Sequence, residues 1–373
     1  VTVKPTANKG LVDQGGRRPT LASVAMALGI SRTTVSNAYS RPDQLSSEMR
    51  ERILTMAHDL GYPGPHPSAR ALARGRTGVI GVVFPEALAF AVSDPAATAS
   101  MAGMAAACDE LGMALMLIPT HAESASGMDV VRSAACDGLI LYSLPDDHEL
   151  LDTSENKHIP LASIDQPRLA AGVRLGADDA AVGRVQIEHL TGLGHRRLAL
   201  VGYRFGADAR EGFQTPDRLR SSDYLMNRER IMGMDLALSA AGLSPDDLIV
   251  FEAPETSVAA GERAVTQLLS AHPDLTGIVV DSDTLARGVI DGAQALGRRV
   301  PQELSVIGAD DNADATRGTP TLTTVSTGAR EKGYRAVLTV AGRLDSHLGQ
   351  DLLVAAELMV RQSTAPAQPS AES

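Results

Sequence analysis

The feature that most constrains this chain is a regular alternation of short apolar runs and helix-like segments from Gly78 onward. Residues 79–84, VIGVVF, are apolar throughout, which is typical of a strand buried on both faces. Similar runs predict strands at 114–118, 138–142, 160–164, 198–202, 248–251, 277–280 and 304–308, with helices at 96–111, 179–193, 227–241, 257–271 and 283–296. This alternation indicates parallel sheets with helices on both faces. About ten strands are too many for one sheet here, so we predict a two-lobed, doubly wound α/β body.

Residues 20–39, TLASVAMALGISRTTVSNAY, have the pattern of two short helices joined by a tight turn. The apolar residues at 21, 24, 25 and 28 have the spacing of one helix face. Gly29 is predicted to end that helix and Ser31 to cap the next, which buries Val35 and Ala38. The pattern therefore predicts a helix-turn-helix, whose second helix enters the major groove of DNA. A helical hairpin within a larger bundle is the alternative that this stretch alone leaves open.

The segments around this motif predict the rest of the N-terminal organisation. Ser46 is predicted to cap a third helix that ends at Gly61. Residues 63–67, PGPHP, cannot continue a helix and therefore form a linker. Residues 68–73 have the composition of one short helix, which is too short to persist alone in water. The polar segments 1–18 and 363–373 are predicted to be disordered tails.

The charge of the chain is divided unevenly between its two parts. The whole chain has a net charge of −11, which is unusual for a protein that contacts nucleic acid. Residues 17–76, however, carry nine arginines and four acidic residues, whereas residues 77–373 have an excess of 17 acidic residues. A small basic head on an acidic body favours phosphate contact by the head alone.

Composition excludes several other classes of protein. Apolar residues make up 44% of the chain without a run long enough to span a membrane, which indicates a soluble protein. The first fourteen residues have no apolar segment of the kind found in secretion signals, so we expect a cytoplasmic location. Cys108 and Cys136 lack metal-ligand spacing and are predicted to be core residues. No metal and no cofactor is predicted.

An ordered series of motifs resembles the LacI/GalR family of bacterial transcriptional repressors, from Thr20 to about Gln362. In the head these are residues 20–25 (TLASVA), 35–36 (VS), 50–53 (RERI), 60–62 (LGY) and 69–72 (ARAL). In the body they are residues 78–83 (GVIGVV), 193–198 (LGHRRL), 230–233 (RIMG), 300–301 (VP), 305–311 (SVIGADD) and 322–325 (LTTV). The implied domains are a helix-turn-helix domain at 19–63, a linker and hinge helix at 64–76, and an effector-binding and dimerisation domain at 77–362, similar to periplasmic sugar-binding proteins. Its N-lobe is expected at about 77–176 and 309–328 and its C-lobe at about 177–308, with a further crossing near 329–355.

The resemblance implies a dimer that places two recognition helices in successive major grooves of a palindromic operator. Arg32, with Thr33 and Asn37, is the implied reader of base edges, and a phosphate contact is the alternative for Arg32. Leu72 matches the leucine that wedges open the central base step in this family. The other implied DNA-binding residues are Thr20, Ser31, Thr34, Ser36, Ala69, Arg70 and Arg74. The C-terminal tail has no leucine heptad, so we expect a dimer rather than a tetramer.

The resemblance also implies that the two lobes close on a small-molecule effector, a sugar or sugar derivative. Arg230 and Asp310 match the residues that hold effector hydroxyls or a charged group, although either could serve a purely structural role. Ser282 stands in a pair that the family uses for the effector, and two further candidates are Asp165, at the end of a predicted strand, and Phe90, which could stack on a ligand. A role in the cleft wall is the alternative for Asp165, and core packing is the alternative for Phe90.

An enzyme and a transporter component are the competing functions. No Gly-x-Gly-x-x-Gly follows the first strand, and neither a phosphate-binding loop nor a Gly-x-Ser-x-Gly elbow occurs, so we do not expect an enzyme. A basic helix-turn-helix head is foreign to a solute-binding protein. The sequence therefore predicts a ligand-responsive, sequence-specific DNA-binding regulator, in the first place a repressor, with no membrane partner. A regulator with a non-sugar effector such as a nucleobase, or one that activates, is the alternative.

Overall fold

The computed structural model describes residues 19–64, 75–85, 87–120, 126–156, 158–206, 208 and 210–368. The chain divides after Gly78 into two compact units, an N-terminal head and a larger body, each with its own apolar core. The predicted tail at 1–18 and most of the predicted linker and hinge helix, residues 65–74, lie outside the described residues. Among the residues described, no helix is long and apolar enough to cross a membrane.

The head is a bundle of three helices, α1 (Leu21–Leu28), α2 (Arg32–Ser40) and α3 (Ser47–Asp59), with a 3₁₀ turn at Pro42–Gln44. Thr20 and Ser23 form a capping box at the start of α1, and Gly29 ends this helix with a φ of 66°. Ser31 and Ser46 cap the other two helices through their side chains. The small core consists of Val24, Ala25, Val35, Ala38, Ile53 and Ala57, all buried. The helices predicted from the apolar spacing are therefore present.

The body contains strands and helices in near-regular alternation. Its strands are β1 (Val79–Phe84), β2 (Ala114–Pro119), β3 (Gly138–Tyr142), β4 (Leu161–Ile164), β5 (Val173–Ala177), β6 (Leu198–Tyr203), β7 (Gly212–Gln214), β8 (Ile249–Ala253), β9 (Gly277–Val280), β10 (Ser305–Asp310), β11 (Thr323–Ser326), β12 (Gln350–Val354) and β13 (Glu357–Met359). Its helices are α4 (Leu88–Ala91), α5 (Pro95–Leu111), α6 (Ser126–Ser133), α7 (Leu150–Glu155), α8 (Asp179–Gly192), α9 (Pro216–Arg220), α10 (Leu225–Ala240), α11 (Val258–Ala271), α12 (Asp283–Ala295) and α13 (Ala329–Val340), with 3₁₀ turns at Pro245–Asp247 and Ala313–Thr316.

Two sheets define two lobes of the body. The sheet of the first lobe has the strand order β12-β5-β4-β3-β1-β2, and every pair in it is parallel. The sheet of the second lobe has the order β13-β11-β10-β9-β6-β8-β7, with antiparallel strands only at its two edges. Apolar clusters lie on both faces of each sheet, as expected for a doubly wound α/β fold. The predicted fold class is confirmed.

Pairs of glycines set the closest helix contacts in the body. The pairs α5–α13, α8–α10 and α11–α12 cross with backbone against backbone. A Cβ atom on Gly103 would lie 1.9 Å from the carbonyl oxygen of Arg330, and one on Gly233 would lie 1.9 Å from that of Ala180. The glycines at these crossings are Gly103 and Gly333, Gly183 and Gly233, and Gly261 and Gly288. No other residue type fits at these positions without displacing a helix.

The division into lobes differs from the sequence prediction at the C-terminal end of the body. The sequence predicts residues 309–328 in the N-lobe, but β10 pairs with β9 and β11 pairs with β10, so both strands belong to the second sheet. The first lobe instead takes up α13 and β12 after the second crossover, because α13 packs on α5 and β12 pairs with β5. The chain then crosses a third time, after Val354, and adds β13 to the second lobe.

The predicted disorder of the C-terminal tail is wrong for residues 363–368. Ser363 is fully buried, accepts a hydrogen bond from the backbone N–H of Thr323 at 2.8 Å and donates one to the carbonyl of Val306 at 2.6 Å. The carbonyl of Ala365 lies 3.0 Å from Nε2 of the buried His195. The composition, rich in Pro, Ala and Ser, predicts disorder, but this segment is hydrogen-bonded to the second sheet.

Candidate functional site

Helix α2 presents its N-terminal residues on the surface of the head. Arg32 and Thr33 are exposed, while Val35 and Ala38 anchor the opposite face of the helix in the core. Backbone N–H groups are unpaired at a helix N-terminus, so this end of α2 also attracts phosphate. The geometry leaves the Arg32 guanidinium available for contacts outside the head.

The other candidate DNA-binding residues have varied surroundings. Ser31 caps α2, accepts a hydrogen bond from the backbone N–H of Thr34 at 3.0 Å and lies 2.8 Å from the Thr34 hydroxyl. The Asn37 side chain donates to Oε1 of Gln44 at 3.4 Å, which restricts its orientation. Thr20 is exposed and Ser36 is half-buried. The hinge candidates Ala69, Arg70, Leu72 and Arg74 lie outside the described residues.

A cleft between the two sheets of the body brings together four of the predicted effector residues. Asp165, Arg230, Ser282 and Asp310 all line it, and it encloses about 1070 Å³ of empty space that includes open solvent. Its walls are made largely by the carboxyl ends of β1, β3, β4, β6, β9 and β10, where ligands gather in parallel α/β sheets. Phe90 belongs to α4, but its side chain lies outside the described part of the chain.

The backbone is strained where several strands end at the cleft. Ser143, Asp165, Arg204 and Asp310 have φ values of 50°, 64°, 53° and 113°, although none of them is glycine. Each of these residues ends a strand or directly follows one, and all four line the cleft. Left-handed backbone in non-glycine residues costs free energy and clusters at functional sites, where the surrounding structure maintains it.

Arg230 is the central cation of the cleft, and it is held by two carboxylates. It is 3% exposed on α10, and its Nε donates to Oδ1 of Asp179 at 2.9 Å. Its Nη1 donates to the carbonyl of Asp281 at 3.0 Å and lies 3.7 Å from that residue's carboxylate. Burial raises the pKa of Asp179 to about 6, and burial also raises the pKa of Asp281. The structural role left open for Arg230 is therefore present, in a residue that also lines the cleft.

Asp310 lies at the end of β10 and is held in an environment that disfavours its charge. Burial, with the negative charge of Asp94 as a further cause, raises the pKa of Asp310 to about 7. Its Oδ1 accepts a hydrogen bond from the Thr327 hydroxyl at 3.3 Å. The neighbouring Asp283 is fully buried and accepts bonds from the Thr324 hydroxyl and from the backbone N–H of Asn312. Asp310 can thus either accept or donate a hydrogen bond near neutral pH.

A buried lysine shares the cleft with Asp165. Lys332 is 3% exposed on α13, and its ammonium forms a short ion pair with the Asp165 carboxylate. The carbonyl of Asp165 accepts a hydrogen bond from Nε of Arg174, which is itself 1% exposed and lies near Asp179, Glu229 and Asp351. A chain of alternating charges therefore runs from the first lobe to the carboxylate that holds Arg230.

Sequence reasoning missed several residues of the cleft. Lys332 is flanked by Ala329, Gly333 and Ala336 on the buried face of its helix, and a charge on such a face is a signal for a polar site. Asp94 caps α5 just before a proline, a pattern typical of a helix start at the mouth of a strand. Further missed lining residues include Tyr142, Gln166, Tyr203, Asn227 and Glu255. Among the described residues no group of His, Cys, Asp and Glu side chains has metal-binding geometry.

Comparison with known proteins connects this architecture to a family. Residues 187–364 match the periplasmic binding protein-like domain. The chain is 42% identical over 324 residues to the HTH-type transcriptional regulator Rv3575c of Mycobacterium tuberculosis, covering 86% of this chain and 89% of the relative.

Two solved structures are similar over nearly the whole chain. A LacI family transcriptional regulator from Corynebacterium glutamicum is 30% identical, covers 93% of this chain and 98% of its own, and has a TM-score of 0.69. The transcriptional regulator CelR in complex with cellobiose is 26% identical, covers 93% of this chain and 100% of its own, and has a TM-score of 0.64. A helix-turn-helix head on a two-lobed α/β body, with relatives that are named as regulators rather than enzymes, places this chain in the LacI/GalR family of HTH-type transcriptional regulators.

Proposed function

We propose that this regulator is a repressor that binds a palindromic operator as a homodimer. A small polyhydroxylated molecule lowers or raises its affinity for the operator. The observation that carries the proposal is the convergence of Asp165, Arg230, Ser282 and Asp310 on one cleft between the lobes. Carboxylates and a guanidinium around a common space suit a ligand with several hydroxyl groups. The relative CelR was solved with cellobiose, which has the same chemistry.

The DNA contacts are assigned to the exposed end of α2 and to the hinge. Arg32 would read a base edge, with Thr33 and Asn37 as further readers. Thr20, Ser31, Thr34 and Ser36 would contact phosphates and fix the position of the helix. In the hinge, Ala69, Arg70 and Arg74 would lie against the DNA, and Leu72 would insert at the central base step.

The charges of the cleft favour an uncharged effector. Five acidic residues line it, Asp94, Asp165, Asp281, Asp310 and Glu255, against three basic residues, Arg204, Arg230 and Lys332. Arg230 is already bound by Asp179 and Asp281, and Lys332 by Asp165. A phosphate or carboxylate on the ligand would meet this acidic excess and would have to displace an existing ion pair. A neutral sugar or sugar derivative avoids both costs.

The proposal is tested by measuring operator binding with and without ligand. An operator selected from random DNA is titrated with the full chain by fluorescence anisotropy, in the presence of neutral sugars, cyclic polyols and their phosphate esters. We expect salt-dependent binding and a change of operator affinity of about 5- to 150-fold with a neutral compound. Sedimentation is expected to show a dimer. An affinity that no compound changes, or that only phosphate esters change, contradicts the proposed effector class.

A variant separates effector binding from DNA binding. Ser282 lines the cleft at the start of α12, but its side chain makes no capping hydrogen bond to that helix. Ser282→Ala is therefore expected to leave folding and operator affinity unchanged and to weaken the response to the effector. A full response in this variant would remove Ser282 from the proposed site.

A further inference from the structure

Two residues that line the cleft have buried side-chain amides with one unpaired polar atom each. Gln166 follows β4 in the first lobe and Asn227 belongs to α10 in the second, and they are 0% and 2% exposed. Both line the cleft. Nε2 of Gln166 and Oδ1 of Asn227 have no hydrogen-bond partner in the structure described here. An unpaired polar atom at such depth is costly and requires a reason.

The hydrogen bonds that each amide makes determine which of its two polar atoms is the oxygen and which is the nitrogen, and so which atom stays unpaired. Oε1 of Gln166 accepts a hydrogen bond from the backbone N–H of Met226 at 3.2 Å, a partner that only an oxygen satisfies. Nδ2 of Asn227 donates to the carbonyl of Arg204 at 3.2 Å and to the Ser222 hydroxyl at 3.2 Å, and the carbonyl requires a donor. Neither amide can therefore be turned over without losing a bond. Each of these cleft-lining residues therefore keeps one buried, unpaired atom, a donor on Gln166 and an acceptor on Asn227.

We propose that Gln166 and Asn227 form an additional binding subsite for a group of the effector that both accepts and donates a hydrogen bond. This inference rests on the proposed function and adds two specificity residues to the Asp165, Arg230, Ser282 and Asp310 set. A carboxylate or phosphate cannot donate to Asn227, and an ammonium cannot accept from Gln166. A hydroxyl group does both with one atom. The lactam edge of a nucleobase does both with two neighbouring atoms, so the test includes both chemistries.

The subsite bridges the two lobes. The Met226 N–H that bonds Gln166 belongs to the residue before Asn227, so Gln166 already connects the first lobe to the first turn of α10. A ligand group that bonds both amides would add a further bridge across the cleft. Because a site built to hydrogen-bond a hydroxyl is left with unpaired polar atoms when the hydroxyl is missing, it rejects the deoxy analogue strongly.

The experiment combines protein variants with ligand variants. The full chain is titrated calorimetrically with pentoses, hexoses, disaccharides and cyclic polyols, D-ribose and cellobiose among them, and with nucleobases and nucleosides. The tightest binder is then compared with its analogues that each lack one donor–acceptor group. We expect one such analogue to bind the wild type at least about tenfold more weakly. In Gln166→Met, the ratio of affinities for the parent compound and this analogue is expected to fall, because only the bond to Asn227 remains.

A matched control distinguishes ligand recognition from a loss of packing. Gln186 is also fully buried with one unpaired amide atom, but it is not part of the cleft lining. Gln186→Met should lower thermal stability without changing the ratio of affinities for the parent and the analogue. If Gln166→Met does not fold, Gln166→Glu at pH 8 keeps the acceptor for Met226 and replaces only the free donor.

The outcomes separate this inference from the proposed function. A wild-type ratio of affinities retained in the Gln166 variant for every analogue overturns the subsite but leaves the effector cleft intact. A nucleobase that binds and loses its discrimination in the variant supports the subsite and overturns the sugar-like effector. If no compound of either chemistry binds the wild-type chain, the proposed effector class fails and the subsite fails with it.

Discussion

Asp310→Asn is expected to stabilise the protein above neutral pH while weakening its response to the effector. Asp310 is half-buried near Asp94, and its removal from water raises its pKa from 3.8 to about 7. The folded protein therefore binds more protons than the unfolded chain between these two values, and its stability falls as the pH rises through them. Asparagine removes this dependence. It keeps an oxygen for the Thr327 hydroxyl and tolerates the positive φ of 113° better than most residues.

The pKa shift of Asp310 sets the size of the expected stability difference between Asp310→Asn and the wild type. Each unit of pKa difference corresponds to about 1.4 kcal/mol, so the charged Asp310 costs the folded state about 4 kcal/mol at pH 8. At pH 5, where the folded group is protonated and the unfolded group is ionised, the cost is about 2 kcal/mol. The advantage of the variant over the wild type should therefore grow by about 2 to 3 kcal/mol between pH 5 and pH 8.

Urea denaturation followed by circular dichroism at several pH values measures this difference. Asp274→Asn is the control, because Asp274 is an exposed aspartate whose pKa is lowered by its ion pair with Arg197. Its loss should destabilise the protein slightly, and this deficit should shrink toward low pH. If Asp310→Asn shows the same stability difference from the wild type at pH 5 and pH 8, the argument from burial is wrong. The weakened effector response is measured separately, by operator titration.

Three further substitutions test other parts of the structure. Arg32→Ala should cost about 1–3 kcal/mol of discrimination at one symmetric pair of operator positions, and an equal loss on all sequences would indicate a phosphate contact only. Arg174→Met should lower the free energy of unfolding by about 3–5 kcal/mol, because it removes a buried cation shared by the buried Asp179 and the half-buried Glu229 and Asp351, and an unchanged urea midpoint would contradict this. Gly233→Ala should destabilise by about 1–3 kcal/mol through its clash with Ala180, whereas Gly192→Ala, which meets no neighbour within 4 Å, should be neutral or stabilising in the same assay.

The sequence predicted the strands that are buried on both faces and the helices with a clear apolar stripe. β1, β3 and β9 are continuous apolar runs, and this pattern has few other interpretations. The strands it missed are short or carry polar residues, as in β5 with its buried Arg174 and in β11 with two buried threonines. These polar residues are buried because of partners far away in the chain, so no local sequence pattern predicts these strands.

The cleft could be predicted only in part for a similar reason. Arg230 and Asp310 stand in motifs that the resemblance identifies, and the structure brings both to the cleft. The sequence around Gln166 and Asn227 does not distinguish them from surface amides. Their role follows from their burial, from the hydrogen bonds that they make and from the atoms that stay unpaired. Lys332 is buried because Asp165, more than 160 residues earlier, neutralises it. Such roles arise from packing between distant segments and cannot be assigned from spacing.

The glycine crossings restrict how a ligand can change this molecule's shape. Within each lobe the paired helices touch through their backbones, so they cannot slide or rotate independently without atomic overlap. Conformational freedom is thereby concentrated at the three connections between the lobes, at residues 177–179, 326–329 and 354–357. At one of them, a Cβ on Gly328 would lie 2.5 Å from the Val354 side chain, so two connections are packed together. We therefore expect the two lobes to move as stiff halves about these connections, so that an effector bound in the cleft would change the angle between them.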